Sequence, residues 1–119
     1  MARILIADDD RDYLAAFSQG MAALGHETTG VDHSDDVLPA LDGAPYDIVF
    51  LDMLMPGGGA ITLVHRISSA HPALPVVVLT GNAAVFSSPI MQGGMRHVHA
   101  RISKTSSLAE IGQVIHRLI

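Results

Sequence analysis

Ile48-Val49-Phe50-Leu51 is an unbroken apolar run that ends in Asp52, with Pro56 and three consecutive glycines close behind. A run without polar alternation reads as a strand buried on both faces, the condition of a parallel sheet covered by helices. Proline and glycine then force a loop. Asp52 therefore falls at the carboxyl end of a central strand, where open α/β sheets hold ligands. Taken alone, it reads first as a turn or capping aspartate. Its role depends on what the rest of the chain brings beside it.

Other runs repeat the pattern. Arg3–Ala7 is a short apolar strand followed at once by Asp8-Asp9-Asp10, and Val76–Leu79 is a second fully apolar strand ending in Thr80-Gly81-Asn82. Tyr46–Leu51 spans the central strand, His97–Ile102 reads as the fifth, and His26–Val31 is more polar, which places it toward an edge. From Arg11, the positions Leu14, Phe17, Met21 and Leu24 keep helical spacing, with Asp10 or Asp12 favourable at the start and Gly25 at the stop. Ser34–Leu41 reads as a second helix, short or distorted because Pro39 removes a donor and clashes one turn back. Ile61, Leu63, Val64 and Ile67 predict a third, closing near His71-Pro72. Over 83–95, Pro89 and Gly93-Gly94 break a fourth helix in two, with Ser88 capping the second piece. Ser107 and Glu110 have capping-box spacing, and Leu108, Ile111, Ile115 and Leu118 mark one face of the last helix.

Five strand-helix units in alternation imply an α/β fold: a flavodoxin-like, doubly wound, five-stranded parallel sheet with five helices, one domain over residues 1–119. The expected strand order is 2-1-3-4-5, which makes strands one and three neighbours at the switch point. The acidic run and Asp52 then share one crevice, flanked by Thr80 and Lys104.

Composition narrows the chemistry. The chain contains no cysteine, which removes disulfides and thiol catalysis, and its seven histidines are scattered without tight ligand pairs. A net charge of −5 argues against direct nucleic-acid binding, which relies on Lys and Arg to neutralise phosphates. Apolar runs fall far short of a membrane span and no signal peptide is evident, so a cytoplasmic location without membrane contact is the expectation. Ten of the twelve acids are Asp, four of them between residues 8 and 12, whereas Lys104 is the only lysine.

Together, ILIADDD, IVFLDMLMPG, VVVLTG and ISK resemble the response-regulator receiver domain of two-component signalling, over essentially the whole chain and in the right order. The resemblance implies that Asp52 accepts a phosphoryl group from a sensor histidine kinase or phosphotransfer protein, forming an aspartyl phosphate. Metal ligands would be Asp9, Asp52 and the Leu54 carbonyl, with Asp8 acting partly through water, for Mg²⁺ or Mn²⁺. Crowded carboxylates repel unless a cation neutralises them, and a hard divalent ion with oxygen ligands does so. Lys104, Thr80 and the amides of Gly81 and Leu54 would hold the phosphoryl oxygens; Asp10 matches no ligand and starts the helix. Such a domain catalyses its own phosphorylation and is not a turnover enzyme. It signals through the surface of the fourth helix and fifth strand to a downstream protein or a missing output domain; relatives often form a homodimer, which these residues neither require nor oppose.

The sequence departs from the family at several places. Arg101 stands where a switch aromatic is usual, Thr105 replaces the proline after the lysine, and Ala60 replaces a glycine. The interval from Thr80 to Lys104 is about two residues longer than the family's. A trans bond, or a strained cis bond, is expected at Lys104-Thr105. Leu54 and Asn82 occupy the positions flanking the hydrolytic water, and because leucine cannot orient water the phosphoryl group is expected to leave slowly. Two other readings stand beside this one. A receiver-like adaptor independent of phosphorylation is favoured by Arg101, Thr105 and the broken fourth helix, and opposed by the presence of Asp8, Asp9, Asp52, Thr80 and Lys104. A Mg²⁺-dependent aspartyl phosphatase is opposed by Leu54, where such enzymes place a second aspartate.

Overall fold

The computed structural model describes residues 1–81 and 97–119; Asn82 and the broken helix expected over 83–95 lie outside the described residues. The elements are β1 (Arg3–Ala7), α1 (Arg11–Ala23), β2 (Glu27–Val31), a 3-10 turn (Ser34–Asp36), α2 (Val37–Gly43), β3 (Ile48–Asp52), α3 (Ala60–Ala70), β4 (Val76–Thr80), β5 (Ala100–Ser103) and the terminal helix α4 (Leu108–Leu118). The strands form one sheet in the order β2-β1-β3-β4-β5. Every neighbouring pair is parallel, as alternation of strands and helices requires. Among the described residues, no helix is long and apolar enough to cross a membrane.

All five residues of β3 and all five of β4 are buried, so the unbroken apolar runs do pack on two faces. On one face Leu5, Val49, Leu51 and Val78 meet Val37 and Leu41 of α2 and Leu63, Val64 and Ile67 of α3. On the other, Ile4, Ile6, Phe50, Val77 and Leu79 meet Phe17 and Met21 of α1 and Ile111 and Ile115 of α4. Each such aliphatic or aromatic side chain contributes roughly 1.5–3 kcal/mol on removal from water. In this way the helices hold the carboxyl ends of β1, β3 and β4 level with one another.

Caps set where the helices begin and end. Asp10 Oδ1 accepts the Asp12 and Tyr13 amides, both at 3.1 Å, so Asp10 opens α1 as expected. Gly25, at φ 87°, leaves that helix in the left-handed conformation that Cβ-bearing residues avoid. The second helix is short, as Pro39 requires. Its first residues wind as a 3-10 turn and the α-helix starts at Val37, placing Pro39 in the first turn where no intrahelical donor is needed. Ser107 and Glu110 form the full capping box of α4.

Strand ends differ from the sequence expectation where side chains take over backbone hydrogen bonds. His99 donates its amide to the Val76 carbonyl at 2.8 Å while its Nδ1 accepts the Val76 amide at 3.0 Å, and the paired residues of β5 begin at Ala100, not at His97. His26 Nδ1 likewise accepts the Ala2 amide at 2.9 Å, and β2 starts one residue later, at Glu27. The central strand runs Ile48–Asp52, not Tyr46–Leu51, so Asp52 is the last residue of β3, paired with Leu79.

Candidate functional site

Sheet register brings the acids together. Ala7 is paired with Leu51, so the next residues along, Asp8 and Asp52, emerge side by side at the carboxyl edge. Asp8 is fully buried; its amide donates to the Val31 carbonyl at 3.0 Å and its Oδ1 accepts the Asp10 amide at 2.9 Å. Asp52 is 7% exposed, whereas Asp9 is open to solvent. One carboxylate oxygen from each of the three lies within 4.8 Å of the others.

Lys104 reaches into the same crevice from beyond β5. Its amide donates to the Thr80 carbonyl at 2.8 Å, continuing the β4–β5 ladder past Ser103 and Thr80. Nζ lies 2.6 Å from Asp8 Oδ2 and 3.5 Å from Asp52 Oδ2. Thr80, 4% exposed, is the last residue of β4 at the same edge. There is no cis peptide bond among the described residues, so Lys104-Thr105 is trans. Thr105 instead folds back on Ser103, with the two hydroxyls 2.8 Å apart.

The charges in this crevice are out of balance. Burial first, and then the Asp8 charge, push the Asp52 carboxyl up to about 6, with Lys104 offsetting part of the effect. Burial alone would lower Lys104, but the Asp8 and Asp52 carboxylates outweigh it and hold the ammonium above its ordinary range. Three carboxylates against one ammonium leave two formal negative charges on a cluster of hard oxygen donors. That donor set and that deficit fit a hard divalent cation.

After Asp52 the chain is tightly held. Met53 donates its amide to the Leu79 carbonyl at 3.0 Å, and Met53 and Met55 are buried while Leu54 is 72% exposed. Gly57, Gly58 and Gly59 all have positive φ, and a Cβ on Gly59 would lie 2.4 Å from the Met53 carbonyl oxygen. These glycines make the bend that Ala60, the first residue of α3, does not have to make. The Pro56 carbonyl accepts both the amide and the hydroxyl of Ser34, each at 3.1 Å, which pins this loop to the turn after β2.

All the sequence-predicted site residues with described side chains, Asp8, Asp9, Asp52, Thr80 and Lys104, stand at this one edge, and Leu54 is two residues beyond it. Two neighbours were not foreseen. Tyr13, four residues after Asp9, lies beneath Lys104 with its ring centroid 5.1 Å from Nζ. Its spacing from the acidic run is a usable signal. Ser34 carries none, because its contact joins loops 22 positions apart.

The family model of the response regulator receiver domain matches residues 4–116. The chain is 34% identical to the response regulator protein FleR of Pseudomonas aeruginosa over 71% of its own length and 18% of that protein. It is 30% identical to the response regulator receiver protein CpdR of Brucella abortus, over 75% of this chain and 74% of that one. The crystal structure of the response regulator TrrA of Thermotoga maritima, in complex with Mg²⁺-BeF, superposes with a TM-score of 0.89 over the whole of both chains. At 20% identity, that last likeness speaks for the fold alone. This chain thus spans about a fifth of FleR and most of CpdR. With its topology, its acidic edge and the match over residues 4–116, the chain belongs to the response regulator receiver domain family, a family of two-component signalling domains and not of turnover enzymes.

Proposed function

We propose that Asp52 is the phosphoacceptor of a phosphorelay, taking its phosphoryl group from the phosphohistidine of a sensor histidine kinase or a phosphotransfer protein. The observation that carries this reading is the convergence of the Asp8, Asp9 and Asp52 carboxylates within 4.8 Å, with the Lys104 ammonium among them. Asp9, Asp52 and the Leu54 carbonyl would hold Mg²⁺ or Mn²⁺, with Asp8 partly through water. When bound, the ion neutralises the acids and supplies a contact for a phosphoryl oxygen.

In the transfer, the Asp52 oxygen forms a bond to phosphorus as the phosphorus–nitrogen bond breaks, and the histidine keeps the bonding pair. The protein's part is placement and charge, because the transferring group carries its charge on peripheral oxygens and needs cations and donors already in position. Lys104 and the Thr80 hydroxyl supply these, with the amides of Gly81 and Leu54. Buried on the β3 end, Asp52 is presented at one fixed position to an incoming donor. The Mg²⁺-BeF complex of TrrA supports the reading by likeness of fold. On phosphorylation, the surface of the fifth strand and of the fourth helix expected from the sequence would address a downstream protein or an output domain, as the greater length of FleR suggests for the family.

Arg101 favours a second reading, that of an adaptor independent of phosphorylation, since this exposed position three residues before Lys104 carries no aromatic. One experiment separates the two. Incubation with Mg²⁺ and acetyl phosphate is expected to add one phosphoryl mass to the wild type and none to Asp52→Asn, while beryllium fluoride moves the amide resonances of β5. No mass gain and unmoved resonances would leave the adaptor.

A further inference from the structure

Lys104 has no other lysine in the chain to stand in for it. Among the described residues its ammonium lies beside two carboxylates, Asp8 and Asp52, and beside the face of Tyr13, at 5.1 Å from ring centroid to Nζ. That separation is within the range at which a ring quadrupole attracts a cation. The ring is itself well fixed. Tyr13 lies in the first turn of α1, and its amide is taken by the Asp10 cap at 3.1 Å. Behind it stands Phe17, at 6.1 Å between centroids, and Phe17 meets Phe50 edge-on at 5.0 Å. An aromatic row thus runs from β3, two residues before Asp52, to the lysine.

The Tyr13 hydroxyl does not explain this placement. It is buried and makes no hydrogen bond among the described residues, which works against burying it. What the side chain offers the site is its electron-rich face. The carboxylates beside Lys104 are the same groups a divalent ion would draw upon, whereas an aromatic face is not a ligand for a hard cation. Of Asp8, Asp52 and Tyr13, the Tyr13 ring keeps its hold on the ammonium when the acids are engaged elsewhere.

We propose that Tyr13 is a positioning residue for phosphoryl transfer, its ring face keeping the Lys104 ammonium at the crevice while Asp8 and Asp52 are engaged. The proposal rests on the phosphoacceptor reading above, and its test separates the two. In the full chain, Tyr13→Phe keeps the ring and Tyr13→Leu removes it. Because the chain has a single lysine, lysine-selective labelling gives one ε-methylene signal, displaced by the ring current of Tyr13. That displacement is expected to persist in Tyr13→Phe and vanish in Tyr13→Leu, with Mg²⁺ and without it. With acetyl phosphate at saturating Mg²⁺, Tyr13→Leu is expected to slow phosphoryl uptake about two- to thirty-fold, the rate equivalent of a cation–π contact, with Mg²⁺ affinity held within about twofold. Tyr13→Phe is expected to keep the wild-type rate.

An undisplaced Lys104 signal in the wild type would overturn the inference, as would an unchanged rate in Tyr13→Leu. An equal loss in both variants would assign the effect to the hydroxyl and overturn it too. A parallel fall in Mg²⁺ affinity and rate in Tyr13→Leu would mark a purely structural role. If the wild type takes up no phosphoryl group, the phosphoacceptor reading fails, while the Lys104 signal still decides whether the ring holds the ammonium.

Discussion

Replacing Asp52 by asparagine should stabilise the metal-free protein. The wild-type carboxyl is pushed from 3.8 up to about 6, first by burial and then by the neighbouring Asp8 charge. Its folded value thus lies above its unfolded one, and the folded state loses stability as pH rises through that window, the penalty being complete above it. Two pH units at about 1.36 kcal/mol each set an upper bound near 3 kcal/mol, and screening at the solvent-facing mouth of the crevice brings the expectation to about 1–3 kcal/mol. Asparagine keeps the shape and leaves the Lys104–Asp8 pair at 2.6 Å in place. The assay is urea unfolding in EDTA, where the variant should exceed the wild type at about pH 7.5, by about half as much at pH 5, and not at all below about pH 3.5. Saturating Mg²⁺ should reverse the order, because only the wild type retains the full carboxylate set to bind it. A variant no more stable than wild type at about pH 7.5 in EDTA, or an advantage that persists in acid, would refute the electrostatic argument.

Three further substitutions test the loop after Asp52. Leu54→Asn places an amide able to orient water at an exposed position, and the phosphorylated variant should lose its phosphoryl group faster; an unchanged half-life contradicts the slow-hydrolysis expectation. Ser34→Ala removes one of two hydrogen bonds to the Pro56 carbonyl, and should cost about 0.5–1.5 kcal/mol in urea unfolding while weakening Mg²⁺ binding by calorimetry. Wild-type Mg²⁺ affinity in that variant would show that the turn after β2 does not hold the Leu54 loop. Gly59→Ala sets a Cβ 2.4 Å from the Met53 carbonyl oxygen at φ 116° and should destabilise by more than about 1 kcal/mol; a thermal midpoint equal to wild type would mean that the bend relaxes freely.

Hydrophobic patterning in the sequence was enough to determine the layered α/β class and the side of the sheet that carries chemistry, and it left the observed sheet order as one among a few. Fully apolar runs such as Ile48–Leu51 have no exposed face to spare, so they demand helices on both sides, and the connections between parallel strands leave few topologies open. The meeting of Asp8, Asp52 and Thr80 at one edge was legible because each stands at the end of one of those runs, and Lys104 joins them because it follows the fifth strand; strand register carries all four to that edge. Local chemistry was legible too: the Asp10 cap, the Ser107–Glu110 capping box and the displacement of Pro39 into a first turn all depend on neighbours a few residues away.

Contacts between distant elements were decided only in three dimensions. Nothing near His99 foretells that its ring accepts the Val76 amide at the start of β4, and nothing near Ser34 foretells its grip on Pro56. The balance of charge at Asp52, and the Tyr13 face beneath Lys104, likewise arise from side chains that meet only after the sheet has formed. Patterning encodes which face of a segment is buried, and so determines the scaffold. Which atoms meet across that scaffold depends on side-chain direction and on distances of a few ångströms, and those exist only once the chain has packed.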